Sequence, residues 1–335
     1  MNLEKLLEEI EQEFGLDNIH ITRHCGSFVV VKDKKVIRIA GERLHFCPIL
    51  SRIYNLDIKP SSSEQISSVD IKKTIQEKVD KFGMFCEERE VCCEHIAIPF
   101  GASEIMMYGL RNQVLDAVVS VCEGAGTVIS DNPVVVQGIG ARMNGIFYSS
   151  AIPEVIKKLE NNKAEVPFPG KIDQVKGVEY AINSGYKKIA VTINGFDADN
   201  LENIKELKKH IDVKITSLLV CTTGVSQENA VAMLDADIVW GCASKCVRKI
   251  VAPKSVLQIG VQIPVFVLNE NGLELISCYA KNDEIRKTLA ENKNYYVTFM
   301  PHGAYKKIEM GKFKVYLHET DSYPVRAHKE PKPLL

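Results

Sequence analysis

Between Ile172 and Asn269 the chain alternates between strand-like and helix-like stretches in short, regular steps. IDQVKGVEYAINSG reads as a helix closed by Gly185, KKIAVTING as a strand, and ADNLENIKELKKHI as a helix capped near Asp199 or Asn200. VKITSLLVCTTG reads as a strand, SQENAVAMLDA as a helix capped by Ser226, DIVWGC as a short strand, and ASKCVRKIV as a helix stopped by Pro253. The apolar VLQIGVQIPVFVLN is again strand-like. Strands joined through single helices need crossover connections, which set them parallel in one sheet. The alternation therefore predicts an α/β fold: a mainly parallel, doubly wound sheet in the central and C-terminal part, with a smaller α+β region before it.

At 335 residues the chain exceeds what one core usually serves. Three regions are expected: 1–95, α+β and rich in Cys and His; 96–280, the α/β domain; and 281–335, a β-rich extension and tail. The first opens with an acidic amphipathic helix, MNLEKLLEEIEQEF. Strands follow in HITRHCGSFVVVKDKKVIRIAG, then the loop KPSSSEQISS. A helix over 69–82 is predicted from Ile71, Ile75, Val79 and Phe82 on one face, with Ser68 as its cap. DNPVVVQGIGARMNG reads as an apolar run followed by a Gly-rich turn, and IPEVIKKLENN as a helix with Pro153 near its start. NYYVTFMPHGAYKKIEMGKFKVYLHET reads as antiparallel strands, and the tail HKEPKPLL as loose.

Hydrophobic residues make up 45% and charged residues 25%, with a formal net charge of −1. That balance is ordinary for a globular protein and argues against nucleic acid or an anionic membrane as partner. No apolar run approaches the ~20 residues of a membrane span, and the N-terminus lacks the basic region of a signal peptide. A cytoplasmic location is expected. The ten cysteines then read as structural, metal-binding or catalytic rather than as a disulfide framework.

In open α/β sheets, ligands bind beyond the carboxyl ends of the strands. Those ends carry Asn194 and Asp197, Cys221 with Thr222 and Thr223, and Cys242; Cys122 joins them if VVSVC is a strand. Cys122, Cys221 and Cys242 are thus expected to converge on one pocket, with Asn194, Asp197, Thr222 and Thr223 as cofactor-binding candidates and Glu123 or Asp197 as acid or base. In GIGARMNG, Gly138 and Gly140 could cradle a phosphate or carboxylate with Arg142 as charge partner, or simply pack closely. A second thiol group is CEEREVCCEH, holding Cys86, Cys92, Cys93 and His95; Cys25 and Cys47 lie near histidines upstream. Adjacent cysteines diverge, so a metal site here needs other ligands. At least two of Cys86, Cys92 and Cys93 are expected near Cys25 or Cys47, holding zinc or an iron–sulfur cluster, or forming a buried thiol seam. No G-x-S-x-G nucleophile elbow is present.

R-H-C-G near residue 25, H-F-C-P at 45–48, the C-x5-C-C cluster, VCEGAGTVISDNPVVVQGIGARMNG and CTTGVSQENA resemble the methanogenesis marker 8 family across nearly the whole chain. The resemblance implies an anaerobic archaeal cytoplasm, where oxygen-labile clusters persist, and it supplies no catalytic residues. Other methanogenesis proteins are the partners it implies. The expected function is an accessory role in methanogenesis that handles a metal or iron–sulfur centre, by analogy in maturation or activation of methyl-coenzyme M reductase. The alternatives are an α/β enzyme acting on a small anionic cofactor or nucleotide, and a scaffold with structural thiols.

Overall fold

The computed structural model describes residues 3–96, 98–209, 212–280, 293–324 and 326–335. Helix α1 (Leu3–Phe14) lays Leu6 and Ile10 on the hairpin strands β1 (Ile19–His24), β2 (Ser27–Lys32) and β3 (Lys35–Ala40). Strand alternation sends Phe28 and Val30 to that face and Val29 and Val31 to the other, where α2 (Pro48–Ile53) and α3 (Ser68–Phe82) bury Leu50, Ile71 and Ile75. The cap of α3 is Ser67 rather than Ser68: its hydroxyl accepts from the Asp70 N–H. Gly83, left-handed at φ 60°, ends the helix, and a Cβ there would sit 2.3 Å from the Glu88 carbonyl carbon.

After α4 (Ala102–Arg111), β4 (Ala117–Cys122) and β5 (Gly126–Ser130) form a hairpin through left-handed Gly124. Helix α5 (Pro133–Gly140) takes up the apolar run and the first residues of the expected Gly-rich turn, because Asn132 caps it and Pro133 suits its first position. Strand β6 (Ile146–Ser149) crosses to pair with β1, giving a sheet ordered β3-β2-β1-β6. Then follow α6 (Pro153–Asn161), β7 (Ala164–Glu165), α7 (Gln174–Asn183), β8 (Lys188–Asn194), α8 (Asn200–Lys209), β9 (Lys214–Val220), α9 (Gln227–Ala232), β10 (Ile238–Trp240) and α10 (Lys245–Ile250). Strands β11 (Leu257–Ile259) and β12 (Val265–Val267), helix α11 (Glu270–Tyr279) and strands β13 (Asn294–Thr298), β14 (Lys306–Met310) and β15 (Phe313–Thr320) complete the described elements.

The large sheet runs β14-β15-β13-β11-β12-β10-β9-β8-β4-β5-β7. Its centre, β4, β8, β9 and β10, is parallel, as the helical crossovers require. The sheet is not mainly parallel, however. Only β11 and β13 add a further parallel pair, and the other neighbours are antiparallel. The physical reason is turn chemistry: VLQIGVQIPVFVLN is broken by Gly260 at φ 73° and by Pro264 into the hairpin β11–β12, and Gly124 does the same for β4–β5. Val118, Ala190, Leu218 and Ile238 pack toward α4 and α11, and Val119, Val191, Leu219 and Val239 toward α7–α10. The strands of the 281–335 region extend this same sheet; residues 281–292 lie outside the described residues. The tail is not loose. Lys332 pairs with Phe46, and the Leu335 N–H donates to the Ala243 carbonyl at 2.8 Å. Among the described residues no helix is long and apolar enough to cross a membrane.

Candidate thiol centre

The N-terminal sheet and α3 roof the carboxyl ends of the parallel strands. The Arg23 guanidinium lies 4.6 Å over the Phe196 ring, beyond the end of β8. A Cβ on Gly145, just before β6, would come within 2.8 Å of Cys221 Sγ. Ala243, after β10, is buried with Leu50, Ile75 and Ile146 of the N-terminal layer. The crevice that such sheets leave beyond their strand ends is therefore enclosed by a second structural layer.

Four cysteines border this junction. Cys25 (φ 51°) turns β1 into β2, Cys221 (φ 59°) follows β9, and Cys242 (φ 39°) follows β10. Cys47 caps α2 ahead of Pro48. A left-handed backbone is unfavourable for cysteine, and its recurrence at three of four neighbouring thiols marks positions held by their surroundings. The loops are stitched together: the Thr222 hydroxyl donates to the Trp240 carbonyl at 2.6 Å, and the Ala243 N–H donates to Thr223 Oγ1 at 3.2 Å. Arg248 holds the Cys242 carbonyl at 3.1 Å and that of Gln262 at 2.8 Å. Leu335 packs among these turns: Cβ atoms added at Gly26 and Gly224 would lie 3.3 and 3.7 Å from its side chain.

Burial pushes the Cys25 thiol well above its ordinary value, and the neighbouring Cys47 adds to the shift. Cys47 is raised by burial and by Cys242, although the N–H groups of Leu50 and Ile49 favour its thiolate. Cys221 is pushed up to about 12 by burial and then by Cys242, opposed by Arg23, the Gly145 N–H and Lys78. The thiols thus feel one another in the order Cys25, Cys47, Cys242, Cys221. Lys78, 2% exposed on α3, donates to Asn144 Oδ1 at 2.9 Å; burial lowers it to about 8 against the pull of Glu123, Cys25 and Cys221. Asn144 also contacts His24, whose Nε2 meets Thr74 Oγ1 at 3.0 Å and which burial holds neutral down to about pH 3. Among the described residues no three His, Cys, Asp or Glu side chains are arranged to hold a single metal ion. The thiols stand as a wider set beside two cations, Lys78 and Arg23.

The other candidates lie elsewhere. Cys122 does not join Cys221 and Cys242: it is enclosed with Ala125, Val128, Val135 and Ile139, while its strand neighbour Val121 faces the thiol centre. Cys86, whose S–H donates to the Gly83 carbonyl at 3.1 Å, feels Glu88 and Lys34. Lys34 sits at the β2–β3 turn, the opposite end of β2 from Cys25. Cys92 is exposed, and Cys93 runs beside α5 with its N–H on the Val134 carbonyl at 3.1 Å. Of these three, Cys86 shares the buried cluster against which Cys25 and Cys47 pack, and Cys92 and Cys93 are not part of it. Gly138 and Gly140 lie in the last turn of α5, where a Cβ would meet the Val91 carbonyl oxygen at 2.2 Å or Ser103 Cβ at 2.4 Å. The Gly138 and Ile139 carbonyls accept from Arg89, and a helix end presenting carbonyls repels anions. Arg142 lies 4.0 Å over the Phe82 ring. Asn194 caps a short turn by accepting from the Phe196 N–H; Asp197 next to it is raised by burial and by Asp199. Glu123, offered above as acid or base, is fully buried in an ion pair with Arg89 at 2.5 Å.

Sequence reasoning missed Lys78, Arg23 and Asn144. Lys78 was within reach: it follows Ile71 by seven residues and Thr74 by four, on the buried stripe of α3. Arg23 and Asn144 carry no such periodic mark.

Together these features define a mixed α/β protein in which four cysteines and two cations lie at the junction of two layers. The chain belongs to a family described as uncharacterized proteins conserved in archaea (DUF2099), whose match spans residues 20–281. It is similar to the uncharacterized protein MJ0054 of Methanocaldococcus jannaschii, 35% identical over 268 residues, covering 78% of this chain and 91% of the relative.

Proposed function

We propose that Cys25, Cys47, Cys221 and Cys242 hold an iron–sulfur cluster, and that the protein carries or handles that centre as an accessory protein. The observation behind this is that four sequence-distant thiols, three of them on left-handed backbone, lie within electrostatic reach of one another in the chain Cys25, Cys47, Cys242, Cys221. A cluster suits thiols too widely set for one ion, because its own sulfides fill the middle. Four thiolates and their cluster carry net negative charge, which Lys78 and Arg23 offset, and the Gly145 N–H favours thiolate at Cys221. Burial favours the protonated thiol at Cys25, Cys47 and Cys221, so ligation there releases protons and strengthens as pH rises. A role in methanogenesis, such as maturation or activation of methyl-coenzyme M reductase, is the reading in which such a centre would serve. Its support is the sequence resemblance and the relative from Methanocaldococcus jannaschii.

The test is anaerobic reconstitution with ferrous iron and sulfide, followed by iron and sulfide analysis and visible absorption. Serine at Cys25, Cys47, Cys221 or Cys242 is expected to abolish or alter the chromophore, whereas serine at Cys86, Cys92, Cys93 or Cys122 leaves it unchanged. The opposite pattern, or a colourless wild-type protein, rejects the reading.

A further inference from the structure

The segment from Arg326 to Leu335 runs across the outside of the thiol centre. Lys332 exchanges backbone hydrogen bonds with Phe46, both at 3.0 Å, and its carbonyl also accepts from the His45 N–H at 2.5 Å. The Leu335 carbonyl accepts from the Lys245 N–H at 2.7 Å. Between this strap and the body lies a cavity of about 370 Å³, lined by His45, Lys245, Arg326, Lys332, Pro333 and Leu334. Three cationic side chains from two distant stretches therefore surround one space. Arg326 has a carboxylate partner, Glu330, at 2.5 Å. Among the described residues neither Lys245 nor Lys332 is paired with an acid. The whole chain carries a net charge of only −1, so this concentration of positive charge is local. Lys245 and Lys332 repel one another across this space, and an anion between them reverses the sign of that interaction.

We propose that this cavity binds a small, multiply charged anion, and that its occupancy holds the strap closed over the thiol centre. An anion here would bridge Lys245 on the body and Lys332 and Arg326 on the strap, tying one to the other. The neighbouring sequence connects this space to the thiols: His45 stands two residues before Cys47, and Lys245 three after Cys242. His45 and Lys245 lie inside the family match, and Arg326 and Lys332 beyond it, so the latch joins the shared body to the C-terminal extension. The anion site stands by itself; only the control of access to a cluster rests on the function proposed above.

The experiment uses the full chain, reduced and metal-free, so that the outcome is independent of any cluster. Pyrophosphate and citrate are titrated into it by calorimetry. At least one is expected to bind with a single equivalent, weakening steeply toward ~1 M salt, where screening acts over about 3 Å. The double variant Lys245→Ser/Lys332→Ser should weaken that binding about tenfold or more, through lost charge-assisted bonds. The charge-preserving Lys245→Arg/Lys332→Arg should retain it, which separates charge from fold. Pyrophosphate alone would mark a phosphorylated ligand, and citrate alone a polycarboxylate. Saturating anion should also slow iodoacetamide alkylation of Cys25 and Cys47. Absence of binding to both anions, or binding that survives the double serine variant, overturns the site; alkylation that is not slowed overturns the latch.

Discussion

His20 and Glu104 are both 1% exposed, and burial moves them in opposite senses. His20 meets Ser149 Oγ at 2.9 Å, and burial lowers its pKa from 6.5 to about 4. Between those values the unfolded chain binds a proton that the folded one refuses. Stability therefore falls as pH drops from about 6.5 to about 4, by roughly 3 kcal/mol across the window. Glu104, which accepts from the Tyr279 hydroxyl, is raised by burial from 4.5 to about 7. There the folded state keeps a proton that the unfolded one has released, so stability falls as pH rises from about 4.5 to about 7, by a similar roughly 3 kcal/mol. His20→Gln should flatten the acid limb of urea midpoints measured against pH. Glu104→Gln should stabilise the protein above pH 7 relative to its effect at pH 4.5; an unchanged pH profile in either variant refutes the assignment. Neither shift was legible in the sequence, because a lone His or Glu in a string of letters carries no record of what covers it.

The thiol-bearing turns are elements under constraint. At Cys221 glycine relieves the left-handed backbone and alanine does not, so Cys221→Gly should exceed Cys221→Ala in stability by about 1 kcal/mol in chemical denaturation. Gly145→Ala places a methyl 2.8 Å from Cys221 Sγ and 2.9 Å from its Cβ. That overpacking should cost about 1–3 kcal/mol and lower metal loading in the reconstitution assay, where a surface control leaves loading intact. At this scale the sequence was readable where periodicity is long: α1, α3, α6 and α7 follow their apolar spacing. It misled at PVVVQGIG, whose glycines looked like a turn. They are helical because Val91 and Ser103 press against α5 too closely for any side chain, a contact made from outside the element.

The large sheet carries the C-terminal strands as part of its own core: Tyr295, Val297, Ile308, Val315 and Leu317 are buried with Leu257, Leu275 and Tyr279. Ending the chain at residue 293 would strip those contacts and bare the β11 edge, so the truncated protein should aggregate or fail to melt cooperatively. Soluble expression and a sharp thermal transition would contradict this. The parallel trio β8, β9 and β10 could be derived from alternation alone, because a helix between two strands forces a crossover, whereas β4 was open between helix and strand. The same rule put Cys221 and Cys242 at strand ends. It could not say that Cys122 turns away, which is decided by the single-residue parity that gives Val121 to the crevice. Nor could it bring Cys25 and Cys47 to Cys221 and Cys242. Local pattern determined which segments became helices and strands, since each responds to its own apolar spacing. The thiol centre was decided only by the docking of one sheet over the ends of another, because contacts between turns far apart in sequence leave no periodic trace in either.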